Sequence, residues 1–127
     1  MKKWIIIGIV AALIILVFVL RGNEDDWIKD SRGVYVEHGK PAGIPSYVLE
    51  QKEAINCASS LYDGEKVKGA IFNSQCLGRC GNYSVDIVHV PRIAEDNLAE
   101  NQCLDFMEKK TSHFIELDNN GNVVRIN

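Results

Sequence analysis

Residues 76–90 read CLGRCGNYSVDIVHV. The second half, Asn82 to Val90, is rich in β-branched and aromatic residues and is ended by Pro91, so it reads as a strand. Residues 66–74 read as the strand before it. Cys76-Leu77-Gly78-Arg79-Cys80, with Gly81, then falls between the two strands as an exposed loop that presents Arg79. Two cysteines so spaced are half a metal site, a redox pair or part of a disulfide framework. The compartment decides between them, and the other end of the chain sets the compartment.

Residues 4–20 read WIIIGIVAALIILVFVL, without a charged residue. As a helix this run is roughly 26 Å long, at the short end of the range that spans a bilayer. It exceeds the apolar core of about 7–15 residues usual in a cleaved signal peptide. Val19-Leu20-Arg21-Gly22-Asn23-Glu24 offers no small-x-small cleavage site, and no cysteine follows closely enough for a lipid anchor. The expected organisation is a tail (1–3), a transmembrane signal anchor (4–21), a polar linker (22–26) and an extracytoplasmic domain (27–127). Lys2 and Lys3 precede the apolar run, while Arg21, Lys29 and Arg32 follow it, so basic residues are nearly balanced across it. The short amino-terminal tail and large carboxy-terminal domain favour the N-terminus inside and the domain outside.

The outer part reads as α+β. Trp27-Ile28-Lys29 and Val34 to His38 flank the turn Asp30-Ser31-Arg32-Gly33 and form a hairpin. Pro- and Gly-rich residues 39–45 form a loop. A helix capped by Ser46 runs to about Tyr62 and stops at Asp63-Gly64, with Tyr47, Val48, Ala54, Ile55, Ala58, Leu61 and Tyr62 on one stripe and Cys57 at its border. His113 to Leu117 and Val123 to Ile126 flank Asp118-Asn119-Asn120-Gly121-Asn122 as a second hairpin. One helix laid across an antiparallel sheet of hairpins buries both apolar faces. That outline is similar to the cystatin-like folds, in topology and not in sequence motif.

The cysteines follow the pattern Cys57-x18-Cys76-x3-Cys80-x22-Cys103. Structural zinc sites favour tight C-x2-C knuckles, and thioredoxin-like sites place C-x-x-C at a helix start. Neither fits. An even count in a small domain outside the membrane points to two disulfides. Strand parity puts Phe72, Ser74 and Cys76 on one face, which favours Cys57–Cys76 with Cys80–Cys103. A local Cys76–Cys80 bridge with Cys57–Cys103 fits nearly as well, so the connectivity stays open.

The chain carries a net charge of −3. Setting aside Lys2, Lys3 and Arg21 leaves 11 basic against 17 acidic residues in 22–127, a net of −6. That surface repels phosphate backbones, so no nucleic-acid partner is expected. Partners reduce to the membrane, through residues 4–20, and a protein or small molecule. No glycine-rich phosphate loop, serine elbow or HExxH occurs, and no cofactor or metal is expected. If strands 83–90 and 113–117 pair antiparallel, His89 and His113 share a rim, and with Asp86 or Glu95 they could ligate a metal or exchange protons. Asp86, inside an apolar strand, needs a cation such as Arg92 or Lys68. Asn82-Tyr83-Ser84 matches a glycosylation sequon. The expected role is a binding or structural interaction module at the membrane surface. The alternative is a small metal-dependent or acid–base enzyme built on His89 and His113.

Overall fold

The computed structural model describes residues 1–21 and 25–127, so most of the expected linker lies outside it. Helix α1 spans Lys2–Arg21, beginning two residues before the apolar run. Among the described residues it is the one helix long and apolar enough to cross a membrane, with a mean hydropathy of 2.9 over Lys2–Leu20 and none of that stretch buried. Residues 25–127 form an α+β domain.

Strands β1 (Asp26–Lys29) and β2 (Tyr35–His38) form the expected hairpin, with Ile28 opposite Val36. Asp30 closes its turn: Oδ1 accepts the Arg32 and Val34 N–H groups, and Oδ2 accepts the Arg32 guanidinium. Those bonds hold the Asp30 carboxyl below its ordinary range.

Helix α2 (Ser46–Val67) is one turn longer than expected, and the helix start and stop both need correction. Ser46 is its first helical residue, while Pro45 occupies the cap position without a side-chain bond. Gly64 stays helical. The stop is Gly69 (φ 81°), whose N–H bonds the Lys66 carbonyl while Ala70 N–H bonds that of Glu65. A glycine ends a helix only where it turns left-handed, and of the two glycines available the second does so. Val48, Ala54, Ala58 and Tyr62 line the buried stripe as expected, with Ile55 and Leu61 partly buried beside it; Tyr47 is exposed instead, and Gln51, 2% exposed, joins the stripe. Gln51 clamps the first hairpin to the helix: its Nε2 donates to Gly33 O and its Oε1 accepts Tyr35 N–H.

The expected strand over 66–74 is not formed, since those residues end α2 and lead into the sheet. CLGRC is itself strand: β3 covers Gln75–Cys80, turns at Gly81-Asn82 and pairs antiparallel with β4 (Tyr83–Ile87). Its mixture of partly buried and exposed positions suits a sheet edge, a pattern hidden by one glycine and a charge. A bulge at Leu77 shifts the register, so Cys76 faces Asp86 while Gly78 faces Val85. Gly78 takes φ 146°, open to glycine and strained for other residues.

Strands β5 (His113–Leu117) and β6 (Val123–Ile126) form the second expected hairpin. The sheet order is β3-β4-β5-β6. The sheet is mixed rather than antiparallel, because β4 and β5 pair parallel, Tyr83 opposite His113 and Ile87 opposite Leu117. The physical reason is the long connection over 88–112. It returns across the sheet face opposite α2, carrying short 3₁₀ turns and helix α3 (Leu104–Met107), and re-enters beside the start of β4. Tyr83, Val85, Ile87, Ile115, Leu117 and Ile126 pack on α2. Ser84, Asp86 and Glu116 fall on the other face by strand alternation, where the Ser84 hydroxyl meets that of Thr111 at 2.7 Å.

Candidate functional site

Both disulfides are formed, in the third connectivity: Cys57–Cys80 and Cys76–Cys103. The bulge explains why strand parity misleads. In a regular strand Cys76 and Cys80, four apart, would share a face. The extra residue at Leu77 turns them to opposite faces. Phe72 does stack on Tyr62 of α2, with ring centres 4.4 Å apart, but it lies outside β3 and says nothing of Cys76. Each bridge therefore staples one layer: Cys57–Cys80 ties α2 to the sheet, and Cys76–Cys103 ties the 88–112 connection to its other face.

Beside the second bridge sits Asp86. Its Oδ1 lies 2.8 Å from Sγ of Cys103. A bridged sulfur carries no hydrogen, so only a protonated Asp86 can make this contact a hydrogen bond, by donating to sulfur. Burial pushes the Asp86 carboxyl up to about 6, and the charge of Glu116 adds to the shift; the Cys103 N–H and Arg92 oppose it. Cys76, Cys103 and Asp86 place potential ligand atoms within 4.8 Å of one another, but both sulfurs are consumed by their mutual bond.

Neither expected cation pairs with Asp86. Lys68 bonds Glu65 at 2.7 Å. Arg92 bonds buried Glu116, which also receives Arg125, at 2.7 and 2.9 Å. Glu116 thus takes both arginines, while its parallel neighbour Asp86 has none in direct contact.

The parallel register separates the histidines. His113 stands opposite Tyr83 at the start of β4, whereas His89 lies two residues past its end, about 20 Å away at strand rise. The His113 ring stacks on Tyr83 with centres 4.9 Å apart, and its Nδ1 lies 3.0 Å from the Asn127 carbonyl. His38 is exposed at the end of β2. Glu95 is exposed, and only its backbone carbonyl is engaged, by Ser74 and Asn101.

His89 has a partner that pattern reading missed. Asp96, 3% exposed, places Oδ1 2.9 Å from His89 Nδ1. Burial acts to raise the Asp96 carboxyl, but bonds from Ile93 N–H and from the ring and N–H of His89 outweigh it and hold the group at about 2. His89, but not the buried Asp96, borders a groove of about 370 Å³ shared with Val90, Pro91, Ile93 and Asp118. The signal in sequence is the seven-residue spacing His89–Asp96 across a Pro-containing turn, which nothing distinguishes from an ordinary acidic stretch. Arg79 is exposed on β3 rather than on a loop, with Nε donating to Gly81 O at 2.8 Å and the guanidinium 4.0 Å from Asp105. Asn82 accepts the Ser112 N–H through Oδ1, so the sequon side chain serves the fold.

Comparison of the chain with protein-family models, with curated proteins and with solved structures gives no match.

Proposed function

We propose that the chain is a single-pass membrane protein, N-terminus inside, whose disulfide-stapled domain acts outside the membrane as a binding or structural interaction module. The observation that carries the reading is an apolar α1, wholly unburied, on the same chain as a domain with all four cysteines bridged. Disulfides persist in oxidising compartments. Support for interaction comes from the 88–112 connection, where Leu104 (66% exposed) and Met107 (46%) stand out with Val90, Ile93 and Leu98.

The test uses the full chain with a carboxy-terminal epitope. The epitope is expected to be open to an impermeant protease on intact cells, and the chain to stay in the membrane pellet after alkaline extraction. Release of a shortened chain would overturn the anchor, and a protected epitope would overturn the orientation. Leu13→Arg adds about 3 kcal/mol to insertion and is expected to shift the chain out of the pellet. A photo-crosslinking residue at position 104 should give discrete adducts that one at exposed position 59 on α2 does not; equal labelling at both counts against a docking role for the connection.

A second reading, acid–base chemistry at His89, is supported by the Asp96 contact and the adjoining groove. It does not involve His113.

A further inference from the structure

We infer that the Cys76–Cys103 bridge is a thiol–disulfide exchange site, with Cys76 the sulfur attacked by an external thiolate and Asp86 the group that exchanges a proton with Cys103. This goes beyond the interaction role above and does not depend on it.

The two bridges differ in what surrounds them. Cys76 is exposed on an edge strand and borders a groove of about 370 Å³ with Arg79, Gln102, Leu104 and Asp105. Cys103 is 2% exposed, with the Asp86 carboxyl against its sulfur. In the other bridge Cys80 is buried and Cys57 half-buried, and neither sulfur has a side-chain hydrogen-bond partner among the described residues. An accessible sulfur joined to a buried one gives exchange a direction. A thiolate reaching Cys76 expels Cys103, which lines the floor of the same groove, as a thiolate at a buried position, where a bare negative charge is costly. A proton source at that atom lowers the cost, and Asp86 is the one in contact.

The step balances with an external dithiol as reductant. Its thiolate forms a bond to Cys76 Sγ as the Sγ–Sγ bond breaks, and Asp86 passes its proton to the Cys103 sulfur. The second dithiol sulfur then displaces Cys76, which takes a proton from solvent as the dithiol closes to its disulfide. Two electrons move from dithiol to protein, and solvent reprotonates Asp86. In reverse, the Asp86 carboxylate removes the Cys103 proton and so activates it to resolve a mixed disulfide at Cys76. The charged groups around this centre are Glu116 on β5, the arginines that bond it (Arg92 on the connection and Arg125 on β6), and Arg79, Glu100 and Asp105 lining the groove.

The experiment treats the full chain in detergent micelles with dithiothreitol below any unfolding condition. Samples are quenched, alkylated and mapped by peptide mass. Cys76 and Cys103 are expected to open at least about tenfold faster than Cys57 and Cys80, with the circular dichroism of the domain retained. Opening of both bridges together, or only on unfolding, overturns the inference. Between pH 5 and 8, the wild-type rate is divided by that of Asp86→Asn, which cancels the ionisation of the dithiol. The ratio is expected to be about tenfold at pH 5 and to fall towards one above pH 7. A ratio that is flat with pH overturns the role of Asp86. Should Asp86→Asn not fold, the ratio of the two bridges' opening rates in the wild type carries the same pH test.

Discussion

Asp86 and Asp96 are two carboxylates whose surroundings drive them apart. Asp86 accepts few bonds and faces Glu116, so the fold favours its protonated form. Its contribution to stability is full below about pH 4 and is lost as pH rises through about 6. A shift of this size corresponds to about 3 kcal/mol at most. Asp86→Asn, which mimics the protonated group, is therefore expected to raise stability by about 1–3 kcal/mol at pH 8 and by little at pH 4. Urea unfolding at the two pH values checks this, and an equal change at both would count against it. Asp96 has the opposite sign. Three bonds hold its charged form, so its contribution is present above the ordinary carboxylate range and is lost as pH falls towards about 2. Neither environment is legible in sequence. Asp86 stands out as a charge in an apolar strand, but its real neighbours, Cys103 and Glu116, come from 17 and 30 residues downstream.

At the level of elements, the first hairpin and α2 are joined by one polar side chain. Gln51 lies three residues from Val48 and three from Ala54, on the apolar stripe, where a polar residue looks out of place. It is buried because both ends of its amide are used, on Gly33 and Tyr35. Gln51→Ala leaves two backbone groups unpaired and is expected to cost about 2 kcal/mol. The loss should appear as faster hydrogen exchange at Tyr35, with the β4 and β5 amides little changed. Uniform loss of protection would mean that the hairpin is not a separate unit. Both hairpins and the helix face are readable because turn residues and periodicity are local. Strand β3 is not readable, since Gly78 and Arg79 mask its alternation and the bulge breaks its parity.

Across the whole molecule, the sheet is held between two layers and each layer has its own disulfide. The bridges close chain segments of 23 and 27 residues. Loop-closure entropy assigns each about 3 kcal/mol. Replacing Cys76 and Cys103 together by serine is expected to lower stability by about that amount while α2 stays docked through Cys57–Cys80. The paired change at Cys57 and Cys80 should instead loosen α2. Thermal melts of both variants, followed by near-UV dichroism, check the order. Collapse of the whole domain in the first variant would contradict the layered picture.

Local patterning specified the apolar amino-terminal helix, the two hairpins, the buried face of α2 and the use of four cysteines as two bridges. The first three rest on composition, periodicity or turn chemistry within some twenty residues, and the cysteine reading rests on an even count together with the apolar segment far upstream. The parallel pairing of β4 with β5, the placement of CLGRC in a strand, the cysteine partners and the separation of His89 from His113 belong to the tertiary structure. They follow from one bulge and one long connection, whose paths are chosen by packing between distant residues: Phe106 edge-on to Phe114, Thr111 on Ser84, and Arg92 on Glu116. Strand direction and disulfide partners depend on which distant faces bury each other, and that is an energy of the assembled layers rather than of any one segment.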